Sequence, residues 1–245
     1  MADAPEDKPL EALAARAGRA LPALSHELRT PLTAVIGYAD MLLEGLLGPV
    51  SAEQREAVAT ILERSEALLG TLNALLDLAA FAGGNVPLLR VPFDVGELVA
   101  EAIAAAAAEA KRAKVTVEAV VEGGLPPLVA DRERLAASLR QLLRNALAFS
   151  PAGGTVRVEA AKRLETGRFW IELVVADEGP GLPRDVHSRI FEPFFQAEGS
   201  ASRGQPGAGL GLALVRAHAL AHGGRAWVES APGAGSRFAM LLPLG

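Results

Sequence analysis

The residues best suited to chemistry lie in one segment near the N-terminus, Ser25-His26-Glu27-Leu28-Arg29-Thr30-Pro31-Leu32. It places an imidazole, a carboxylate and a hydroxyl, groups able to exchange protons or attack an electrophile, within two turns of a predicted helix. Apolar residues recur around it at spacings of three and four, which predicts one buried stripe. His26 lies two positions from both Leu24 and Leu28, far round the helix from that stripe. Another molecule can approach such an imidazole, but a lone surface histidine is more often only solvated.

Two glycine-rich segments and one helical asparagine are further candidates for a ligand site. Asp177-Glu178-Gly179-Pro180-Gly181 follows an apolar strand, and Gly207-Ala208-Gly209-Leu210-Gly211-Leu212 begins a predicted helix. Glycines at a helix start let backbone N–H groups approach a phosphate, and the carboxamide of Asn145 can offer an oxygen to Mg²⁺. Each signal is weak by itself, because most such glycine runs are turns and most helical asparagines only form hydrogen bonds. The segment at residues 207–212 has the context of neither a Rossmann fingerprint nor a P-loop.

Composition narrows the class of protein. The 245 residues suffice for one large or two ordinary domains, and the hydrophobic content of 50% with only 4% aromatic residues favours helices packed through small side chains. The net charge of -5, without a basic stripe, argues against nucleic-acid binding. The absence of cysteine excludes disulfides, iron–sulfur clusters and thiolate zinc sites. Since no apolar run approaches the roughly 20 residues of a membrane span, and the N-terminus lacks a basic signal-peptide start, we expect a soluble cytoplasmic chain.

The elements that must position the first segment fall in residues 1–85. Residues 1–20 are predicted to be a lead-in that ends in a linker helix. Residues 21–85 predict an antiparallel hairpin of two long helices, the first running to about Leu47 and the second starting at a capping box of Ser51 and Gln54. Such a hairpin cannot enclose its apolar face alone. We therefore expect a homodimer in which two hairpins form a four-helix bundle.

Residues 86–245 are predicted to form a second domain beyond the glycine break near Gly83. Periodicity predicts helices over 94–114, 131–149 and 210–222. It predicts strands over 88–92, 115–121, 155–161, 169–176, 225–229 and 236–242. Helices and antiparallel-type strands in one unit predict an α/β sandwich, so the fold class of the whole chain is α+β.

Taken together, five segments resemble the H, N, D, F and G boxes of the histidine kinases of bacterial two-component systems, in the family's order. They are SHELRTPL, LRQLLRNALAFSP, DEGPG, IFEPFFQ and GAGLGL, and the resemblance covers residues 21–245. It implies a dimerisation and phosphotransfer hairpin followed by an ATP-binding domain of the Bergerat (GHKL) fold. It also implies an enzyme that uses ATP and Mg²⁺ to phosphorylate its own histidine, with a response-regulator receiver domain as the partner that takes the phosphoryl group. A phosphatase activity toward that partner is a further expectation.

The resemblance implies a role for each matching residue. His26 resembles the phosphoacceptor, Glu27 the general base, and Thr30 a residue that helps place a water for dephosphorylation. Asn145 resembles the Mg²⁺ ligand, and Asp177 the carboxylate that accepts from the adenine amino group. The remaining matches are expected to shape the nucleotide pocket (Gly179, Gly181, Arg203, Gly207, Gly209, Leu210 and Gly211) or to anchor a lid (Phe191, Phe194 and Phe195).

Three positions depart from the family pattern. Gln141 stands where a second asparagine is frequent, Ala148 where a basic residue commonly holds phosphate, and Ala208 where a hydroxyl is frequent. Arg144 and Arg203 are candidates to compensate. These departures leave open a degenerate nucleotide-binding scaffold or a phosphatase-only regulator. A self-contained ATPase of the same fold is a further alternative, although Gln141 cannot act as the base that such an enzyme needs.

Two other features stand apart from these boxes. His218 and His222 are four residues apart on a predicted helix, but no third ligand or catalytic glutamate accompanies them, so no zinc site is predicted there. Pro22 lies just ahead of His26 and is expected to start or kink the helix.

Overall fold

The computed structural model describes residues 27–83, 87–196 and 208–244, and the chain divides between residues 86 and 87 into two compact units. The predicted lead-in at residues 1–20, together with Pro22 and His26, lies outside the described residues. No helix within the described ranges is long and apolar enough to cross a membrane.

The first unit contains two helices, α1 over residues 27–43 and α2 over Ala52–Ala82. The prediction that the first helix reaches Leu47 is wrong, because α1 ends four residues earlier. Gly45 and Gly48 have φ values of 78° and 105° in the intervening turn. These left-handed conformations end the helix although the apolar spacing continues beyond it.

The predicted capping box at the start of α2 is present. The N–H of Gln54 donates to the Ser51 hydroxyl, and the N–H of Ser51 donates to the Gln54 side chain. Near the other end of the hairpin, the Arg29 guanidinium donates to Asn73 Oδ1 at 2.9 Å. Because the start of α1 lies beside the later part of α2, the two helices run antiparallel.

The hairpin leaves apolar side chains exposed along one groove between α1 and α2. Leu28 and Leu68 are 51% and 55% exposed. The groove is lined by Leu28, Pro31, Leu32, Val35, Leu68 and Leu72. A contiguous apolar patch of this kind is typical of a surface that binds another protein.

Within its described residues, the second unit contains three α-helices and seven strands. The helices are α3 (Val95–Ala113), α4 (Arg132–Phe149) and α5 (Gly211–Ala221). The strands are β1 (Arg90–Phe93), β2 (Thr116–Val121), β3 (Leu128–Asp131), β4 (Thr155–Glu165), β5 (Arg168–Asp177), β6 (Arg225–Ser230) and β7 (Ser236–Pro243). Strands β1 and β3 form a two-stranded ribbon, and the others form a sheet in the order β2-β4-β5-β7-β6.

Helix α4 is central to the core of this unit. It packs between α3 and α5 and also contacts β5. Its inner face is buried completely, with Leu135, Leu139, Leu142 and Leu143 all at 0% exposure. Alternate residues of the sheet strands, such as Val156 and Val158, face the same core. Since the inner face is fixed by burial, the opposite face of α4 must point away from the sheet.

The second unit differs from the sequence prediction in three respects. Strands β2 and β4 are parallel, whereas antiparallel-type strands were expected; α4 provides the helical crossover that a parallel pair needs. Strand β3 was not predicted, because its four residues carry too short a pattern and its partner β1 is distant in sequence. The glycine-rich stretch contains two short 3₁₀ helices, Arg184–Val186 and Arg189–Phe191, that the pattern did not indicate.

Leu142→Ala should lower the free energy of unfolding of the second unit by roughly 2–5 kcal/mol, because it leaves a cavity beneath α4. Both tryptophans of the chain, Trp170 and Trp227, lie in this unit. Urea unfolding followed by tryptophan fluorescence therefore reports on this unit alone. Arg140→Ala, at an exposed position of the same helix, is the control and should change the midpoint little. Equal midpoints for the two variants would contradict the buried position of Leu142.

Candidate functional site

Gln141 joins the outer face of α4 to the start of α5. Its Nε2 donates to Asn145 Oδ1 at 2.9 Å, and its Oε1 accepts from the Arg144 guanidinium. Gly211 is the first residue of α5, and a Cβ at that position would overlap the Gln141 amide. The structure therefore brings Asn145 and the glycine segment together through a residue that sequence comparison marked only as a departure.

Asp177 is the last residue of β5, and its carboxylate is held by backbone groups. Oδ1 accepts from the N–H of Gly179 at 2.8 Å. Burial raises the pKa of Asp177, while hydrogen bonds from the backbone of Gly179 and Ser236 oppose that rise. A carboxylate oriented in this way keeps free lone pairs with which to accept from a ligand.

The turn after Asp177 depends on close backbone approach at two glycines. A Cβ on Gly179 would lie 3.0 Å from the carbonyl oxygen of Phe149, at the end of α4. Gly181 has a φ of 69°, and a Cβ there would overlap the carbonyl of Ala231. The turn is therefore held between α4 on one side and the β6–β7 connection on the other.

Ser230 fixes the β6–β7 connection against this turn, and sequence analysis did not identify it. Its hydroxyl accepts from the N–H of Leu182 at 2.8 Å and donates to the carbonyl of Gly235 at 2.7 Å. The N–H of Gly233 donates to the carbonyl of Pro180 at 2.7 Å. The run APGAGS at residues 231–236 is of a composition typical of a turn, but no local pattern shows which distant residues that turn contacts.

The phenylalanine-containing segment, residues 190–196, packs through its own backbone against Gly209. The N–H of Phe194 donates to the carbonyl of Gly209 at 2.9 Å, and a Cβ on Gly209, whose φ is 69°, would lie 2.8 Å from this backbone. The Phe191 side chain is buried and meets the Phe238 ring edge-on at a centroid distance of 6.5 Å. The Phe194 side chain, in contrast, is 64% exposed. Phe191 is thus the side chain that anchors this segment in the core.

Phe195 and Leu210 complete the predicted residues that can be described in this unit. The Arg189 guanidinium lies over the Phe195 ring at 4.6 Å from its centroid, and Leu210 is buried immediately before α5. Two other predicted residues, Arg203 and Gly207, lie outside the described residues.

On α1, Glu27 and Thr30 have exposed side chains and lie three residues apart, so they are neighbours on the helix surface. His26 lies outside the described residues.

A buried histidine pair fixes the later part of α5. His222 Nε2 accepts from the N–H of Asp131 at 2.9 Å, so the ring must carry its proton on Nδ1, which lies 2.7 Å from the carbonyl of His218. His218 Nδ1 lies 2.9 Å from the Ser138 hydroxyl, which donates to the carbonyl of Arg134. These bonds join α5 to α4 and to the end of β3.

Both imidazoles are kept neutral by this environment. Burial, followed by the nearby charge of Arg134, lowers the pKa of His218 to about 4, and burial also lowers the pKa of His222. Across the described ranges, no group of three or more His, Cys, Asp or Glu residues could hold a metal ion. The pair therefore positions α5, and with it the glycines that begin this helix.

Two family models match the chain. The model described as "His Kinase A (phospho-acceptor) domain" matches residues 16–84, the part that contains His26. The model described as "Histidine kinase-, DNA gyrase B-, and HSP90-like ATPase" matches residues 130–245, the part that contains Asn145, Asp177 and the glycine segments.

Individual relatives and solved structures cover between 63% and 96% of the chain. Histidine protein kinase DivJ of Caulobacter vibrioides is 38% identical over 234 residues, which cover 96% of this chain and 38% of DivJ. The crystal structure of full-length ShkA in complex with AMPPNP has a TM-score of 0.78 at 32% identity and covers 93% of this chain and 46% of ShkA. The mycobacterial sensor histidine kinase MprB has a TM-score of 0.52 at 30% identity and covers 63% of this chain and 97% of that structure. The chain spans less than half of the length of DivJ and of ShkA.

The neutral His218 should make the second unit less stable in mild acid. Its folded-state pKa of about 4 lies below the ordinary value of 6.5. The unfolded chain therefore binds a proton first, and stability is lost as the pH falls from about 6.5 toward 4, by at most about 1.4 kcal/mol per pH unit for this residue. Urea midpoints from tryptophan fluorescence at pH 6.5 and pH 5 measure the effect. His218→Gln should show a smaller pH dependence than the wild type, whereas Leu142→Ala, destabilised without loss of this group, should keep the wild-type dependence. If the urea midpoint of His218→Gln depends on pH as strongly as that of the wild type, His218 is not the group that causes the loss of stability in acid.

Proposed function

This chain belongs to the histidine kinases, and on that premise we propose that it transfers the γ-phosphoryl group of ATP to His26 and then to an aspartate of a response regulator. The observation that carries the proposal is the convergence, around the outer face and the end of α4, of Asn145, the Asp177 turn and the glycines before α5. Phosphoryl transfer relies mostly on positioning and charge neutralisation, which such a set of residues can supply.

Adenine recognition is assigned to Asp177. Its ionised carboxylate accepts from the exocyclic amino group, and the N–H of Gly179 keeps the carboxylate in the required orientation. Gly179 and Gly181 hold the turn close to α4, and Gly209, Leu210 and Gly211 place the N-terminus of α5 beside the phosphates. Gly207 and Arg203 are assigned to the same phosphate region by their place in the family motif.

The residues present fit Mg²⁺ as a companion of ATP. Asn145 supplies one oxygen ligand, and Mg²⁺ usually takes one or two protein oxygens together with phosphate oxygens and water. The hydrogen bond from Gln141 uses one lone pair of that oxygen, orients the carboxamide and leaves the second lone pair available. When bound, the ion would offset phosphate charge.

His26 is assigned as the phosphoacceptor because the family match places it in the phospho-acceptor domain. A neutral imidazole is nucleophilic through the ring nitrogen that carries no proton. Glu27, the next residue, is exposed and is assigned to remove a proton from the ring. Thr30, one turn on, is assigned to orient water when the phosphorylated partner is hydrolysed.

Two partners belong to the proposal. The apolar groove between α1 and α2 is of the kind that a second hairpin would cover, giving a four-helix bundle and a homodimer. A response-regulator receiver domain is the acceptor of the phosphoryl group. Because ATP is the donor, we expect both kinase units to work in the cytoplasm.

Incubation of the whole chain with Mg²⁺ and γ-labelled ATP should give an acid-labile label on the wild-type protein. His26→Gln should reduce the label to background, because the nucleophile is lost. His187→Gln, a histidine substitution in the second unit, is the matched control and should keep the wild-type label. Calorimetry with AMPPNP verifies that His26→Gln still binds nucleotide. Equal labelling of wild type and His26→Gln would refute His26 as the acceptor, and ATP hydrolysis without any label would favour an ATPase.

The homodimer is tested by light scattering on the whole chain. The wild type should have twice the 25.4 kDa mass of one chain. Leu68→Glu introduces a charge into the groove and should shift the mass toward that of the monomer. Leu164→Glu, at a leucine of the second unit that is 63% exposed, should leave the dimer intact. A monomeric wild type, or equal dissociation of both variants, would contradict the bundle.

A further inference from the structure

The outer face of α4 carries a short chain of hydrogen bonds that ends at the proposed metal ligand. The Arg144 guanidinium donates to Gln141 Oε1, and Gln141 Nε2 donates to Asn145 Oδ1 at 2.9 Å. Positions three, four and seven residues apart lie on one side of a helix, so Gln141, Arg144, Asn145 and Ala148 form one stripe. Arg144 is exposed, and it is the cation on this stripe.

The charge of the ligand makes that cation significant. A triphosphate carries several negative charges, and the described residues assigned to its site are otherwise neutral or, in Asp177, acidic. Arg144 lines a cavity of about 330 Å³ between α3 and α4, together with Arg140 and Glu109. Through Gln141, Arg144 is the positive charge connected to Asn145 on the outer face of α4.

The local geometry allows Arg144 to move toward the phosphates. Ala148 lies one helical turn beyond Arg144 on the same stripe, is half-buried, and has only a methyl group as its side chain. The guanidinium now donates to a neutral amide oxygen. Charge-assisted hydrogen bonds to phosphate are roughly twice as strong as those to neutral acceptors, and the guanidinium can form two of them in parallel. An exchange of Gln141 for phosphate is therefore favourable.

We propose that Arg144 is a phosphate-binding residue of this kinase, which Gln141 holds beside Asn145 until ATP binds. On binding, Arg144 leaves Gln141 and donates to the β- and γ-phosphate oxygens. This proposal rests on the proposed function, since it requires ATP in the pocket next to Asn145. It assigns to Gln141 the role of a positioning residue for both Arg144 and Asn145.

Calorimetry of the whole chain with AMPPNP, ADP and AMP, each with Mg²⁺, tests the proposal. Arg144→Gln should weaken AMPPNP binding by about tenfold or more, because a charge-assisted contact is lost. ADP binding should weaken less, and AMP binding should change by less than about threefold. Arg144→Lys, which keeps the charge but not the paired donors, should retain more affinity for AMPPNP than Arg144→Gln.

Arg140→Gln is the matched control, because Arg140 is exposed on the same helix and lines the same cavity. It should leave all three affinities within about threefold of the wild type. Urea midpoints confirm that both glutamine variants fold. Equal effects of Arg144→Gln and Arg140→Gln, or an equal loss for AMP and AMPPNP, would overturn the role of Arg144 while leaving the proposed function intact. Failure of the wild type to bind AMPPNP would overturn both.

Discussion

The burial of one face of α4 is the constraint on which the rest of the second unit depends. Four leucines of this helix are wholly excluded from solvent against the sheet, so the helix cannot rotate without exposing them. A helix of fixed rotation has an outer face of fixed direction. The hydrophobic core thereby determines where the Asn145 carboxamide points, although that group takes no part in the core.

Three connections then assemble the site around α4. The Gln141 side chain occupies the space beside Gly211 that a Cβ would need. The Asp177 turn packs, at Gly179, against the carbonyl of Phe149. The Ser138 hydroxyl and His218 Nδ1 form a hydrogen bond. Each contact needs either a glycine or a buried polar pair. Glycines allow backbones to approach closely, and a neutral imidazole satisfies buried donors and acceptors without the cost of a buried charge. Together they fix α5 relative to α4 at both ends.

Local chemistry made much of this fold predictable from the sequence. The capping box at Ser51 and the amphipathic pattern of α4 involve residues within a few positions of one another, and both are present. The features that the sequence did not reveal depend on distant partners. Strand β3 exists through its pairing with β1, and the parallel β2–β4 pair follows from a helical crossover. In the sequence, Gln141 is only a substitution within a motif. Its contact with Gly211 joins two residues 70 positions apart, so no local pattern indicates it.

The strand order has a consequence for how the chain folds during synthesis. Strand β7, the last strand of the chain, lies between β5 and β6 inside the sheet. The sheet therefore cannot be completed until β7 has emerged from the ribosome. The hairpin of α1 and α2, in contrast, involves only residues that are synthesised earlier. Non-local pairing also slows folding, because a long loop must close before the contacts can form. The nascent chain should thus pass through a stage in which its helical unit is complete while its catalytic unit still exposes unpaired strand edges, the stage most open to aggregation and to chaperone binding.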